Sequence, residues 1–321
     1  MSDKSTIQGK AFEYAVCLEL AKWLQAIRPA TLNESSSMKI AEKRFEQEID
    51  SELQSQMLVS ARAGVSGIAP MEPHLSSRSS SPVLIDLQTD DKGIGGDVRD
   101  VLISIPSEQW ETGISVKHNH EALKHSRLSP TIDFGKEWYG IPVSQKYWDG
   151  VRPIFSELSG LKTKNVKWRD LDSKAQSIYV PLLKNFMSEI SGLPKSSQSI
   201  FIEGIFNYLL GSHNHDYYKL VQISKSKVTR ITPFNFHGTL HKGAAASRKK
   251  DLGMVIPLPT ELVDISFKSG SDNTVLLKFN EDWVISFRLH NASTVVETSL
   301  KFDVQLASHP STLISHTFKW V

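Results

Sequence analysis

Two acidic residues and a lysine stand at the ends of two neighbouring apolar segments. Asp97 and Asp100 directly precede an apolar run that predicts a β-strand. In the next predicted strand, Ser115 and Lys117 lie on one face, because side chains alternate in direction along a strand. The separation of 117 − 100 = 17 residues leaves room for a turn between two short strands. Paired strands would place Lys117 beside carboxylates, which are ligands that hard divalent cations prefer.

A third carboxylate lies on the apolar face of a predicted amino-terminal helix. Residues 8–24 are nearly all helix formers, and Glu13, Cys17, Leu20 and Leu24 follow at i, i+4, i+7 and i+11. This spacing puts the four side chains on one side of the helix. Glu13 therefore either complements the positive end of the helix or belongs to a binding site.

The elements that must position these groups are short strands followed by helices. The strand 101–105 is expected to be buried on both faces and to pair with a strand at 113–117, and residues 83–93 predict a hairpin. Helices are predicted at 41–56, 162–192 and 197–210. An antiparallel meander is predicted from the strands 263–268, 274–279, 283–289 and 295–306.

Composition is that of a folded globular protein without a strong average charge. The 321 residues are 40% hydrophobic and 22% charged, and 37 basic against 35 acidic residues leave +2. The single cysteine, Cys17, excludes a disulfide framework and a cysteine-based zinc site. No apolar run approaches the roughly 18 residues of a membrane span, and the first residues are polar, so we expect a cytoplasmic protein without a membrane partner.

The order of these polar groups resembles the PD-(D/E)XK nuclease core. That core carries an acidic residue on one strand and an acidic-x-Lys motif on the next, which bind metal and orient water. Here the acidic position before x-Lys is Ser115, which departs from the pattern. Glu111 shares its parity but lies about 13 Å away at roughly 3.3 Å per residue, too far to replace it. Glu13 matches the helical glutamate that some families of this superfamily use as a metal ligand.

This resemblance implies a magnesium-dependent phosphodiesterase centre. Asp100 and Glu13, with Asp97 and the carbonyl of Val116, would hold Mg²⁺ against an oxygen of the scissile phosphate. Lys117 would orient the attacking water and offset the developing negative charge.

A longer resemblance covers most of the chain. The chain is similar to the HaeIII family of type II restriction endonucleases in the segments 8–15, 96–101, 114–129, 216–219, 286–293 and 299–303. The resemblance implies an α/β (α+β) fold with a PD-(D/E)XK restriction-endonuclease-like core and a β-rich C-terminal region. It also implies magnesium-dependent cleavage of both strands of double-stranded DNA at GGCC in a prokaryotic cell. A palindromic target further implies a two-fold homodimer, with a monomer that cuts the two strands in sequence as the open alternative.

Three regions follow from this interpretation. Residues 1–160 would form the nuclease core with its amino-terminal helices, and residues 161–215 would form a helical connector. Residues 216–321 would form a β-rich region, packed on the core, that recognises DNA.

Candidate DNA contacts concentrate in the carboxy-terminal half. Between Tyr217 and Lys250 the chain has eight cationic side chains and no Asp or Glu, which favours phosphate contact. They are Lys219, Lys225, Lys227, Arg230, Lys242, Arg248, Lys249 and Lys250. Lys124 and Arg127 follow the catalytic strand and are expected to touch phosphate. Base reading requires forked donors, and the candidates are Arg230, Asn235, Arg288 and Asn291.

Two other functions remain open at this stage. A DNA-binding protein of the same fold with a decayed metal site would explain Ser115, and it would bind without cutting. A structure-selective repair or RNA nuclease would share the metal centre but lack base-reading loops, and it would cut unrelated duplexes or RNA equally.

Overall fold

The computed structural model describes residues 4–89, 97–124, 126–213, 215–242 and 254–321. These residues form a mixed α/β fold with two β-sheets. The chain divides into two compact units made of discontinuous segments. The first unit comprises Met1–Glu121, Gly211–Ile256 and Ser311–Val321, and the second comprises Ala122–Leu210 and Pro257–Pro310.

Eight α-helices lie within the described residues. They are α1 (Lys4–Gln25), α2 (Ser36–Gln47), α3 (Ser51–Ile68), α4 (Pro73–Ser76), α5 (Phe134–Tyr139), α6 (Gln145–Thr163), α7 (Val180–Ser191) and α8 (Gln198–Leu210). Side-chain caps fix several of their starts. The hydroxyl of Ser35 accepts from the Met38 N–H at the start of α2, and the Asp50 carboxylate accepts from the Leu53 N–H at the start of α3.

Twelve strands are assigned in the same residues. They are β1 (Ala30–Leu32), β2 (Val83–Leu87), β3 (Val101–Ile105), β4 (Trp110–His118), β5 (Arg127–Leu128), β6 (Tyr217–Ile223), β7 (Val228–Phe234), β8 (Leu262–Phe267), β9 (Thr274–Phe279), β10 (Val284–His290), β11 (Leu300–Ser308) and β12 (His316–Lys319). The sheet of the first unit has the order β1-β2-β3-β4-β6-β7-β12. Its β4 and β6 run parallel, and β3 pairs antiparallel with β4.

One face of this first sheet packs against α1. The helix contributes Phe12, Val16 and Leu20, and the strands contribute Ile103 and Val116, all within one buried cluster. Burying each large aliphatic or aromatic side chain contributes about 1.5–3 kcal/mol. This packing fixes α1 against the strands that carry the candidate site.

The second unit contains a five-stranded sheet and an aromatic core. The strand order is β5-β11-β10-β9-β8, with antiparallel pairing throughout. Trp138 stacks on Phe287 with ring centroids 6.0 Å apart, and Phe186 lies 5.3 Å from Phe302. Such aromatic contacts add about 0.5–1.5 kcal/mol each beyond the area they bury.

Several predicted elements are confirmed. The amino-terminal helix is α1, the antiparallel strands at 101–105 and 113–117 are β3 and β4, and the meander is β8 to β11. The predicted hairpin is confirmed in its pairing, because β2 pairs antiparallel with β3. Its turn at residues 90–93 lies outside the described residues.

Other boundaries were wrong for local reasons. The single helix expected at 41–56 is two helices, because Asp50 caps a new start after α2 ends. The helix expected at 162–192 is interrupted between α6 and α7, and the last meander strand begins at Leu300 instead of 295. The strand β3 is buried on one face only, since Leu102 and Ser104 are half-buried.

The three regions proposed from the sequence do not coincide with the two compact units. The strands β6, β7 and β12 complete the first sheet, whereas β8 to β11 form the second. The β-rich segment 216–321 is therefore shared between the units, and residues 122–160 belong to the second unit. The functional division stays a prediction. No described helix is long and apolar enough to cross a membrane.

Candidate active site

The antiparallel pair of β3 and β4 brings Asp100 and Lys117 together. The backbone N–H of Asp100 donates to the Ile114 carbonyl at 2.9 Å, immediately before the first ladder pair of Val101 with Ile114. One carboxylate oxygen of Asp100, Oδ2, accepts from the Val116 N–H at 2.7 Å and from Lys117 Nζ at 3.1 Å. This geometry agrees with the prediction that Asp100 and Lys117 lie side by side.

Ser115 lies in the same group but offers little exposed surface. Continuing the ladder of β3 with β4 places Asp100 opposite Ser115, whose hydroxyl lies 3.4 Å from Asp100 Oδ2. Ser115 is buried. It therefore occupies the position of the second acid without supplying a negative charge.

Glu13 extends this group from helix α1. It is 7% exposed, and its carboxylate accepts a hydrogen bond from Lys10 Nζ at 3.1 Å. Burial, together with the negative charge of Asp100, raises the pKa of Glu13 to about 7 against the lowering effect of Lys10 and Lys117. The negative charges of Glu13 and Asp100 therefore repel each other, and a bound cation would relieve this repulsion.

Asp97 has a different environment from Asp100. Both its carboxylate oxygens accept from the guanidinium of Arg99, at 2.9 and 2.7 Å, and Arg99 also donates to Glu111 at 2.8 Å. Its pairing with Arg99, by hydrogen bonds and charge, outweighs desolvation and lowers the pKa of Asp97. The structure thus assigns Asp97 to an ion-pair cluster that anchors the start of β3, which argues against its predicted role as a metal ligand.

The donor set at Asp100 fits a hard divalent cation with few protein ligands. Carboxylate oxygens of Asp100 and Glu13 have the chemistry that magnesium prefers. No cluster of three or more His, Cys, Asp or Glu side chains arranged to hold a metal occurs in the described part of the chain. A cation here would therefore complete its shell with the Val116 carbonyl, water and phosphate oxygens, as Mg²⁺ commonly does.

The predicted cationic tract is not one continuous surface. Lys225, Lys227 and Lys242 are exposed, whereas Lys219 is 8% exposed. Burial, together with the positive charge of Lys117, lowers the pKa of Lys219 to about 7. Lys219 was wrongly expected at the surface, because its place on an inner strand of the sheet buries it. Arg248, Lys249 and Lys250 lie outside the described residues.

Most of the predicted base-reading side chains already form hydrogen bonds or ion pairs with other groups of the protein. Asn235 is 1% exposed and its side chain accepts from the Leu240 N–H, so in this structure it presents no free amide to a base edge. Asn291 donates to the Ser293 carbonyl and accepts from the Tyr179 hydroxyl. Only Arg288 is exposed among these three, and it pairs with Asp303 at 3.0 Å.

Two further candidates for phosphate contact lie in the second unit. Lys124 Nζ lies 3.7 Å from the centroid of the Tyr208 ring and donates to the Tyr208 carbonyl. Burial lowers the pKa of Lys124 to about 8. Arg127 is exposed and donates to the Ser299 hydroxyl at 3.1 Å. Arg127 is therefore the more accessible of the two cations.

Sequence reasoning missed two charged residues that organise the site. Arg99 anchors Asp97, and its sequence signal was the acid-x-basic spacing directly before an apolar strand. Glu121 binds Arg230 and, through its carbonyl, Lys219. No short-range signal linked Glu121 to residues about a hundred positions away.

Comparison with known proteins gives a family match over nearly the whole chain. The model of the HaeIII restriction endonuclease family matches residues 9–310. The type II restriction enzyme HaeIII of Haemophilus aegyptius is 40% identical over 323 residues, which cover 100% of this chain and 99% of that protein. No solved structure matches the chain.

These matches and the mixed α/β fold define the class of the protein: a type II site-specific endonuclease that acts on DNA. Because the family match spans nearly the whole chain, the chain belongs to the HaeIII restriction endonuclease family.

Proposed function

We propose that this endonuclease cuts both strands of double-stranded DNA at GGCC in a magnesium-dependent reaction. The observation that carries the catalytic part is the contact of Asp100 with Lys117 and the Val116 N–H on paired strands. The target sequence is supported by the similarity to the HaeIII family.

Asp100 and Glu13 are the proposed ligands of the cation, with the Val116 carbonyl completing the protein donors. Bound Mg²⁺ would supply positive charge to neutralise the scissile phosphate. Asp100 also holds the Lys117 ammonium at 3.1 Å. Lys117 would orient the attacking water and offset the negative charge that grows on the phosphate oxygens during attack.

The exposed cations are the proposed phosphate contacts. Lys225 and Lys227 lie at the turn between β6 and β7, and Lys242 and Arg127 are also exposed. Arg288 is the remaining exposed candidate for base reading. Its pairing with Asp303 would have to be exchanged for a base edge.

A palindromic target supports a homodimer in which each subunit cuts one strand. The cytoplasm of a prokaryotic cell is the compartment in which such an enzyme meets foreign DNA. Both statements rest on the family relationship and on the proposed target.

The test is cleavage of a long natural DNA of known sequence, with Mg²⁺ or with EDTA, followed by mapping of fragment ends. We expect discrete ends at GGCC with Mg²⁺ and intact DNA with EDTA. The Asp100→Ala variant, purified in parallel, controls for contaminating nuclease. Ends elsewhere would remove the proposed target, and equal cutting of unrelated duplexes or RNA would indicate a repair nuclease.

A binding-only function is favoured by one observation, the neutral Ser115 at the position of an acid. DNA binding without any nicking, across Mg²⁺ and other divalent cations, would support it and overturn the proposed reaction.

A further inference from the structure

A buried lysine continues the polar row of the active site onto a third strand. The parallel ladder of β4 with β6 pairs Ser115 with Lys219, so Asp100, Ser115 and Lys219 form one row across β3, β4 and β6. Paired residues in a sheet project from the same face. Lys219 therefore lies on the face of the sheet that carries Asp100 and Ser115.

The amino group of Lys219 donates a hydrogen bond to a backbone carbonyl. Its Nζ donates to the Glu121 carbonyl at 2.8 Å, although Lys219 is almost completely buried. Burying a polar amino group is costly unless it is hydrogen-bonded, and this one lies beside the strands of the active site. The contact with the Glu121 carbonyl thus indicates a positional role for the Lys219 side chain.

Glu121 is held a second time through its side chain. Its Oε1 accepts from Arg230 Nη1 at 2.5 Å, and Arg230 stands on β7, which is the neighbour of β6 in the sheet. Lys219 and Arg230 therefore hold Glu121 from two adjacent strands. We call these three residues the Glu121 clamp.

The segment between Lys117 and the clamp needs such support. The strand β4 ends at His118, and Asn119 has the left-handed backbone angle φ 57°, which turns the chain out of the strand. Asn119 is tied to β6 by its N–H, which donates to the Gln222 carbonyl at 3.0 Å. Glu121 is also the last residue of the first unit before the chain enters the second.

We propose that Lys219 and Arg230 are positioning residues for DNA cleavage: by holding Glu121 they fix the segment that leaves β4, and thereby keep Lys117 directed at Asp100. This inference rests on the proposed nuclease function. It also explains why a neutral residue stands at position 115, because a carboxylate there would pair with Lys219 and draw its amino group away from Glu121.

The test uses the full-length Lys219→Met variant, which keeps the side-chain length and removes the donor. Steady-state cleavage of a GGCC duplex and metal-free DNA binding are measured beside the wild type. A misplaced catalytic group costs up to about 10²-fold, so we expect kcat to fall about 10- to 100-fold with KM and DNA affinity within about 3-fold of wild type. Lys219→Arg, which retains a cationic donor, should recover part of kcat.

Controls separate the possible failures. Lys43→Met changes an exposed lysine of α2 and should leave all values unchanged. If the wild type cuts and Lys219→Met, shown folded by its thermal unfolding, keeps the wild-type kcat, the clamp is refuted while the nuclease stands. A raised KM with unchanged kcat would also refute it, because Lys219 would then be a phosphate contact.

A second variant decides the question if Lys219→Met does not fold. Glu121→Ala removes the surface half of the clamp without touching the buried lysine, and we expect kcat to fall several-fold. Wild-type kcat in this variant would overturn the proposal. A wild type that cuts no DNA would instead refute the proposed function itself.

Discussion

Asp97 and Asp100 are three residues apart, yet their surroundings give them different chemistry. The Asp97 carboxylate is neutralised by the planar guanidinium of Arg99, a bidentate pairing that is strong and geometrically fixed. The Asp100 carboxylate faces Lys117 and the Val116 N–H. Sequence spacing alone could not separate the two, because both precede the same strand. The partner of each carboxylate decides its role.

Removing Asp100 or Lys117 should abolish cleavage while DNA binding persists. Loss of one preorganised electrostatic group typically lowers the rate about 10²- to 10³-fold. The cleavage rates of Asp100→Ala and Lys117→Ala should therefore each fall by at least that factor. Single-turnover cleavage and a metal-free binding assay measure the two properties separately.

Asp97→Asn is the matched control for this pair. It weakens the bond to Arg99 and should lower stability by about 1–3 kcal/mol, because Arg99 is buried. Cleavage at saturating Mg²⁺ should stay near the wild-type rate. A loss of cutting equal to that of Asp100→Ala would restore Asp97 as a metal ligand.

Glu13 should make the stability of the metal-free protein depend on pH. Its pKa is about 7 in the folded state against an ordinary value of 4.5, so the folded protein keeps a proton that the unfolded chain releases. The free energy of unfolding should therefore fall as pH rises from 4.5 to about 7 and then level off. Each pKa unit corresponds to about 1.4 kcal/mol, which predicts a loss of a few kcal/mol.

Urea unfolding in EDTA at several pH values measures this loss, and Glu13→Gln should remove it. Above pH 7, Mg²⁺ should stabilise the wild type and not the variant, since binding to the folded state raises stability. An identical pH profile for both proteins would contradict the assigned burial of Glu13.

At the scale of elements, the periodicity of apolar residues predicted the helices and strands whose formation depends on local sequence. The apolar face of α1 and the alternation of β4 are local signals, and both elements formed as expected. The parallel pairing of β4 with β6 joins residues about a hundred positions apart and leaves no local signal. The burial of Lys219 follows from that pairing, so a lysine that reads as a surface cation lies inside the sheet.

The pairing of β3 with β4 requires a glycine at position 113. A Cβ there would lie 2.5 Å from Arg99 Cδ and 2.9 Å from the Val101 carbonyl oxygen. Gly113→Ala must therefore displace either Arg99 or the backbone of β3. Overpacking of this kind costs about 1–3 kcal/mol, and the displacement should also lower cleavage by moving Asp100.

Urea unfolding and single-turnover cleavage of Gly113→Ala test this expectation together. Gly160→Ala is a suitable control, because a Cβ at that helical position meets no atom within 4 Å apart from its chain neighbours and the backbone of its own helix. Wild-type stability and rate in Gly113→Ala would show that β3 and β4 adjust without cost.

At the scale of the whole molecule, the chain passes between its two units at residues 121, 210, 256 and 310. The first unit is complete only after β12 has joined β7 near the carboxy terminus. A three-part division along the sequence could not represent this arrangement. The described cationic residues from 217 to 242 are likewise divided between buried and exposed positions.

Exposure should therefore decide which lysines contribute to the salt dependence of DNA binding. Each phosphate contact lowers log K by about 0.9 per unit of log salt concentration on duplex DNA. Lys225 and Lys227 are exposed at the turn between β6 and β7, so Lys225→Gln with Lys227→Gln should reduce the slope by about 2. Lys219→Met should leave the slope unchanged, because the buried amino group of Lys219 already donates to the Glu121 carbonyl.

Binding isotherms at several salt concentrations, in EDTA to prevent cutting, give these slopes directly. Lys43→Gln on α2 removes one exposed charge away from the proposed contacts and should match the wild type. A slope reduced by Lys219→Met and unchanged by the double variant would reverse the assignment: the buried lysine would then reach phosphate in the complex, and the turn would not. The same titration thus tests whether the exposure of a charge in the free protein identifies its role on DNA.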